Sequence, residues 1–357
     1  MHDAVQFAAT LASTEGVDIV GNDRATPRYI LTIDGGGIRG LIPALILANL
    51  EERVGRPLHR CFDLIAGTST GGIIAAGLTA PSQRDPKTAA CTARDLADMY
   101  RNDGKRIFPH VLGLSQRLPG FPYSARPLEE ILAKRIGTTA TTRDALTNIV
   151  IPAYDLLGRE AVFMAGGPAY NAAIADPQRD FPLYIAARAT SAAPTFFPPA
   201  AIPATAAVGA TKAQPALLLV DGGVFANDPT IAAITEAPKL GWNIGDLEIL
   251  SLSTGSSNRP FKSAGHWSIF GWVNPFRRVP IVSILMQAGS STISYQAERL
   301  VGAAHYDRAD ITLSPNGGGL DDAGPEHLAE LTTLADDWIV GHPEVLDRWA
   351  AKLSAKR

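Results

Sequence analysis

A strand that breaks on small residues and leads into a helix occurs twice between residues 28 and 78. Arg28-Tyr29-Ile30-Leu31-Thr32-Ile33 is apolar and β-branched, and it stops at Asp34-Gly35-Gly36-Gly37. Leu41, Leu45, Leu47 and Leu50 then follow at helical spacing, closed by Glu51, Glu52 and Arg53. Phe62-Asp63-Leu64-Ile65-Ala66 repeats the strand pattern, Gly67 cuts it, and Gly72 to Leu78 reads as a buried helix. Strands with near-continuous apolar runs are covered on both faces, which is the habit of parallel sheets flanked by helices. The chain is therefore expected to be an α/β protein with a mainly parallel central sheet.

The alternation continues through the middle of the chain. A helix is expected over 127–135, strands over 148–155 and 161–165, and a helix over 182–191. The apolar run Leu217-Leu218-Leu219-Val220 reads as a strand ending at Asp221-Gly222-Gly223, followed by a helix over 230–237 and a strand over 248–253. Residues 200–215 are poor in charge and rich in Ala, Thr and Pro, and read as an excursion loop. From about Pro280 the pattern is mostly helical, over 281–299, 324–340 and 343–356. No internal repeat or sharp change of composition divides the chain. The expected organisation is an N-terminal extension over 1–27 and one domain over 28–357.

Composition removes several classes of function. With 46% hydrophobic and 19% charged residues the chain can build a large core, and its formal net charge of −3 does not suit a phosphate backbone. No nucleic-acid partner is expected. Two cysteines, Cys61 and Cys91, are too few to staple a fold of this size and read as reduced structural thiols. The first twenty residues lack a basic segment followed by an apolar run, and no apolar stretch reaches about 18 residues. The expected location is cytoplasmic, with peripheral contact at membranes.

Three sites carry chemistry. Gly67-Thr68-Ser69-Thr70-Gly71 fits the G-x-S-x-G nucleophile elbow, a sharp strand-to-helix turn that exposes a serine oxygen above a helix N-terminus. Asp34-Gly35-Gly36-Gly37-Ile38-Arg39-Gly40 offers backbone N–H groups to one negative oxygen, either as an oxyanion hole or as a phosphate cradle. Its glycines match G-x-G-x-x-G, but Glu51 and Glu52, the acidic residues near the spacing of a ribose partner, fall late in a helix rather than at a strand end. Arg39 is expected either to ground itself on a local carboxylate or to bind a substrate anion.

A serine nucleophile needs a base. Seven histidines are present, and none lies at a strand-to-loop junction with small neighbours; His305 is the least unsuitable. Asp221 ends an apolar strand before two glycines, so its carboxylate is expected at the same edge as Ser69. A Ser–Asp pair works if burial raises the basicity of the aspartate; the alternative is that Asp221 caps a turn.

In this order, Asp34 to Gly40, Gly67 to Gly71 and Asp221-Gly222-Gly223 resemble the motifs of the patatin family of lipid acyl hydrolases. Ala186 to Pro199, Leu250 to Gly255 and Asp321-Asp322-Ala323 are similar to the family as well, so the resemblance spans roughly 28 to 355. It implies a three-layer α/β/α fold related to cytosolic phospholipase A2 catalytic domains, and catalysis without metal or other cofactor. It implies Ser69 as nucleophile, Asp221 as base, and the amides of Gly35, Gly36, Gly37 and Ile38 as the oxyanion hole. The substrate implied is a phospholipid or another lipid ester. Trp267, Phe270, Trp272 and Phe276, with Arg277 and Arg278, suit a lid or a membrane-docking surface. Two other readings remain: a phospholipase effector switched on by a nucleotide, as in bacterial antiphage defence, and a silent storage or binding protein. An acyl-serine resolved by an alcohol would instead give an acyltransferase.

Overall fold

The computed structural model describes residues 26–109, 123–173, 180–203, 215–257, 280–314 and 318–356. Both opening strand–turn–helix units form as expected. β1 (Arg28–Ile33) leads through the glycine turn to α1 (Leu41–Val54), and β2 (Leu64–Gly67) leads to α2 (Thr70–Thr79). The remaining elements are α3 (Ala93–Ile107), α4 (Arg126–Ile136), β3 (Asn148–Asp155), β4 (Glu160–Gly166), α5 (Pro168–Ala173) and α6 (Leu183–Thr190). They continue with β5 (Ala200–Ile202), β6 (Leu217–Asp221), α7 (Thr230–Glu236), β7 (Leu247–Leu252) and β8 (Ser256–Ser257). The chain closes with α8 (Pro280–Val301), β9 (Tyr306–Ala309), β10 (Thr312–Leu313), α9 (Pro325–Gly341) and α10 (Pro343–Ala355).

The central sheet runs β5-β6-β3-β2-β1-β7-β9, with β4 on β3. From β3 to β9 every neighbouring pair is parallel. Side chains alternate across this sheet and so define the layers. Leu31, Ile33, Ile65, Leu250 and Leu252 join one buried cluster with residues of α1, α2, α3, α4, α6, α9 and α10. Ile30, Leu64, Ala66, Leu247 and Ile249 face the other way, onto α5, α7 and α8. The result is the expected three-layer α/β/α sandwich. Helix α1 has apolar residues buried on all sides, from Leu41 to Ala48, as a helix enclosed between a sheet and further helices must.

Several features differ from the sequence reading; helix α5 and strand β9 were not anticipated, and two other differences have a readable cause. Ala200–Ile202 is not loop but strand β5, paired with β6 and supplied with partners by Leu217–Leu219. Helix α3 was not anticipated because its charged face breaks the apolar run. Its start is nonetheless written in a capping box, in which Thr92 Oγ1 accepts from Asp95 N at 3.1 Å and Asp95 Oδ2 accepts from Thr92 N at 2.9 Å. The rest of the expected loop at 204–214, extension residues 1–25 and the aromatic segment around Trp267, Phe270, Trp272 and Phe276 lie outside the described residues. Cys61 and Cys91 are buried free thiols. Among the described residues no helix is long and apolar enough to cross a membrane.

One detail of the sheet positions the site. β4 pairs along Ile149–Asp155 of β3, leaving the opposite edge of β3 to two strands. β2 takes Asn148–Val150 of that edge in parallel, and β6 takes Ala153–Asp155 antiparallel. The two strands approach each other along β3, and their C-terminal ends meet across Ile151 and Pro152.

Candidate active site

Ser69 sits at this meeting point. It follows β2 and precedes α2 with φ 54 and ψ −122, a backbone conformation that few L-residues adopt and that costs about 1–3 kcal/mol. The turn closes only around small residues: a Cβ on Gly71 would stand 2.1 Å from the Ile33 carbonyl oxygen. The Ser69 N–H is taken by Thr190 Oγ1 at 2.9 Å, and Thr68 Oγ1 donates to the Ala226 carbonyl at 2.6 Å.

Asp221 arrives from the other direction at the end of β6. Ser69 Oγ donates to Asp221 Oδ2 at 2.6 Å, and the Gly223 N–H donates to Oδ1 at 2.7 Å. The sequence placed Asp221 at this edge because it ends a strand. That strand is antiparallel to β3, and the two residues meet because β2 and β6 converge. Burial pushes the Asp221 carboxyl up to about 7, while the bonds from Ser69 and Gly223 pull it back down.

The glycine turn after β1 lies alongside. The Gly35 N–H donates to the Asn227 carbonyl at 3.0 Å and the Ile38 N–H to the Leu320 carbonyl at 2.8 Å. Both amides are thereby committed to the fold, and the expectation that all four N–H groups serve one oxyanion hole narrows to two. Among the described residues the amides of Gly36 and Gly37 have no protein acceptor. Gly37 has φ +59, and a Cβ there would stand 2.2 Å from the Leu320 oxygen, so glycine is required.

The turn is anchored from beneath by residues the sequence reading passed over. Arg308 on β9 donates to Asp34 through both terminal nitrogens, at 3.2 and 2.6 Å, to Asp228 at 3.1 Å and to Ser251 Oγ at 2.7 Å. Burial works against the Arg308 charge, but the two carboxylates outweigh it and hold the guanidinium ionised. The available signal was an arginine inside a short alternating strand, which needs buried carboxylates to answer it. Arg39 is tied to the fold by at least one bond. Its guanidinium reaches the Gly318 carbonyl at 3.3 Å, and it forms no part of the cavity wall described below.

The other candidates lie elsewhere. His305 pairs with Glu248 through Nδ1 at 2.7 Å, near the N-terminal end of β7 and so at the far end of the sheet from Ser69. Glu51 accepts from the amides of Leu58 and Ala93, and Glu52 pairs with Arg94 at 2.8 Å. Neither glutamate is placed as a ribose partner.

An apolar cavity of about 180 Å³ opens on the Ser69–Asp221 pair. Gly37, Ser69, Thr70, Asp221 and Gly223 line it at the reacting groups; Ile73, Tyr100, Ile107, Phe108, Leu128, Phe196 and Phe197 supply apolar wall, and Leu285 and Met286 come from α8. The aromatic side is consolidated by edge and tilted contacts of Phe108 with Tyr123 at 5.4 Å and with Phe197 at 5.8 Å. Tyr100 is fixed by its hydroxyl against Thr70.

The fold and site define an α/β protein that holds a serine–carboxylate pair in the wall of an apolar pocket. The family model "Patatin-like phospholipase" matches residues 31–234. "Patatin-like protein 1" of Arabidopsis thaliana is 34% identical, over 87% of this chain and 81% of that protein. "Patatin-like protein 2" of Oryza sativa subsp. indica is 29% identical, over 92% and 87%, and "Patatin-like protein 1" of the same rice is 32% identical, over 89% and 83%. The chain belongs to the patatin-like phospholipase family.

Proposed function

We propose that this protein is a serine acyl hydrolase that releases fatty acyl chains from phospholipids or related lipid esters. The observation that carries the reading is the 2.6 Å bond from Ser69 Oγ to a buried Asp221 at the wall of the apolar cavity. Asp221 accepts the Ser69 proton as Oγ attacks the ester carbonyl. The negative oxygen of the tetrahedral intermediate is held by the amides of Gly36 and Gly37, with the N-terminus of α2 adding its dipole. Asp221 returns the proton to the departing alcohol, and the acyl chain remains on Ser69, its tail in the cavity. Asp221 then takes a proton from the attacking water, and collapse of the second intermediate frees the fatty acid and restores Ser69.

A carboxylate is ordinarily too weak a base for a serine hydroxyl. Burial narrows that gap, with no cation beside Asp221 among the described residues, and stabilisation of the oxyanion supplies the rest. The same intact pair weighs against a silent storage or binding role. Hydrolysis of p-nitrophenyl esters and defined phospholipids tests the reading. Ser69→Ala and Asp221→Ala are each expected to lose activity by on the order of 10⁴-fold or more. Full activity in Ser69→Ala would overturn it.

A further inference from the structure

The Ala186–Pro199 stretch stood out in the sequence without a chemical role, and the end of α6 with the turn that follows it touches both members of the pair. Thr190 Oγ1 accepts the Ser69 N–H at 2.9 Å and donates to the Pro152 carbonyl at 2.6 Å. Two residues on, the Ala192 carbonyl accepts the Asp221 N–H at 3.0 Å. Pro152 is the residue of β3 that lies where the ends of β2 and β6 meet. One short segment therefore grips the nucleophile by its backbone, the base by its backbone, and the strand between them.

This grip has work to do. Ser69 lies at the first turn of a helix, where an N–H has no intrahelical acceptor, and its backbone is held in a sparsely populated region. Such a conformation persists only when its surroundings over-determine it. Thr190 is fully buried, and the segment is anchored from its own helix by Arg188, which donates to the Pro198 carbonyl at 2.7 Å and to Glu129 at 3.1 Å.

We infer that Thr190 is a positioning residue: its hydroxyl, aimed by Pro152, holds the Ser69 turn so that Oγ faces Asp221, and with Ala192 it sets the separation of the pair. The inference rests on the hydrolase reading above. It also explains why the Ser69 N–H does not serve the oxyanion: it is already spent on Thr190.

The test compares Thr190→Val, which keeps the shape and removes the hydroxyl, with Thr190→Ser, which keeps the hydroxyl. Kinetics on a p-nitrophenyl ester should show Thr190→Val losing about 100-fold in kcat, the scale of a small misplacement of a reacting group, with KM nearly unchanged. The acid limb of its pH profile should also move to higher pH, because the Ser69 hydroxyl bond that lowers Asp221 is weakened. Thr190→Ser should restore both kcat and the limb. If Thr190→Val does not fold, Thr190→Ala replaces it with the same expectations. Wild-type kcat and an unmoved limb in the variant without hydroxyl would overturn the inference, as would an equal loss in Thr190→Ser. Full activity in Ser69→Ala would instead overturn the hydrolase reading itself, so the two failures are distinguishable.

Discussion

Asp34, which follows β1, and Asp221, which ends β6, are both buried carboxylates, and their partners differ. Asp34 is met by two nitrogens of Arg308, which also holds Asp228. Among the described residues, Asp221 is met by one serine hydroxyl and one backbone amide. Exposure is almost the same, 2% and 3%. The difference is the counter-charge. Burial pushes the Asp34 carboxyl up to about 7 against the pull of Arg308, and its two oxygens are held by the guanidinium as a strut for the glycine turn. Burial pushes the Asp221 carboxyl up as far, but among the described residues it meets no cation, and its Oδ2 lies against the Ser69 hydroxyl, with which it can exchange a proton.

The largest test of this contrast is stability. Arg308→Ala leaves two carboxylates buried without their cation, and unfolding by urea should show a loss of about 3–5 kcal/mol. Asp221→Asn removes an uncompensated carboxylate and should be neutral or stabilising, the trade expected where function strains a site. The direction depends on pH. The folded pKa of Asp221 is raised above its ordinary value, so its contribution to stability is fully present below 3.8 and is lost as pH rises through about 7. The advantage of Asp221→Asn over wild type should therefore grow between these values and then level off. A loss in Asp221→Asn as large as that in Arg308→Ala would erase the distinction between strut and base.

Activity gives the next sharpest test. Asp221 must be deprotonated to accept the Ser69 proton, so kcat/KM should fall roughly tenfold per pH unit on the acid side and level off above the limb. Burial places that limb at about 7 in the free enzyme rather than in the usual carboxylate range. A limb near 4 would mean that Asp221 titrates as an ordinary aspartate.

How much of this was legible beforehand follows from the kind of signal each part leaves. The layers were readable because apolar runs and glycine breaks are local, and Ser69 and Asp221 were readable because each closes such a run. Their meeting was expected at a shared strand edge, but the geometry that produces it is not local. β6 runs opposite to β2, and only the shared edge of β3 brings their ends together. The glycine turn after β1 shows the same limit. Gly35 to Ile38 looked like four equivalent donors until the carbonyls of Asn227 and Leu320, far along the chain, took two of them. Arg308 and Thr190 left almost no mark, since a buried arginine and a threonine hydroxyl gain their roles from partners remote in sequence.

Arg39 is where the sequence left two readings open and where the smallest effect is expected. A cation beside a glycine turn suits a phosphate headgroup, and it equally suits a nearby acceptor in the fold. Its guanidinium reaches the Gly318 carbonyl, and it contributes nothing to the cavity wall that holds Ser69. At least one bond therefore ties it to the scaffold of the turn, as several tie Arg308. A cation outside the cavity wall contributes little that a reaction at Ser69 would feel. Arg39→Ala should change kcat and KM by less than roughly threefold on both neutral p-nitrophenyl esters and anionic phospholipids. A KM rise confined to the anionic lipids would return Arg39 to the substrate, and the boundary between scaffold and site would then run through the turn rather than beneath it.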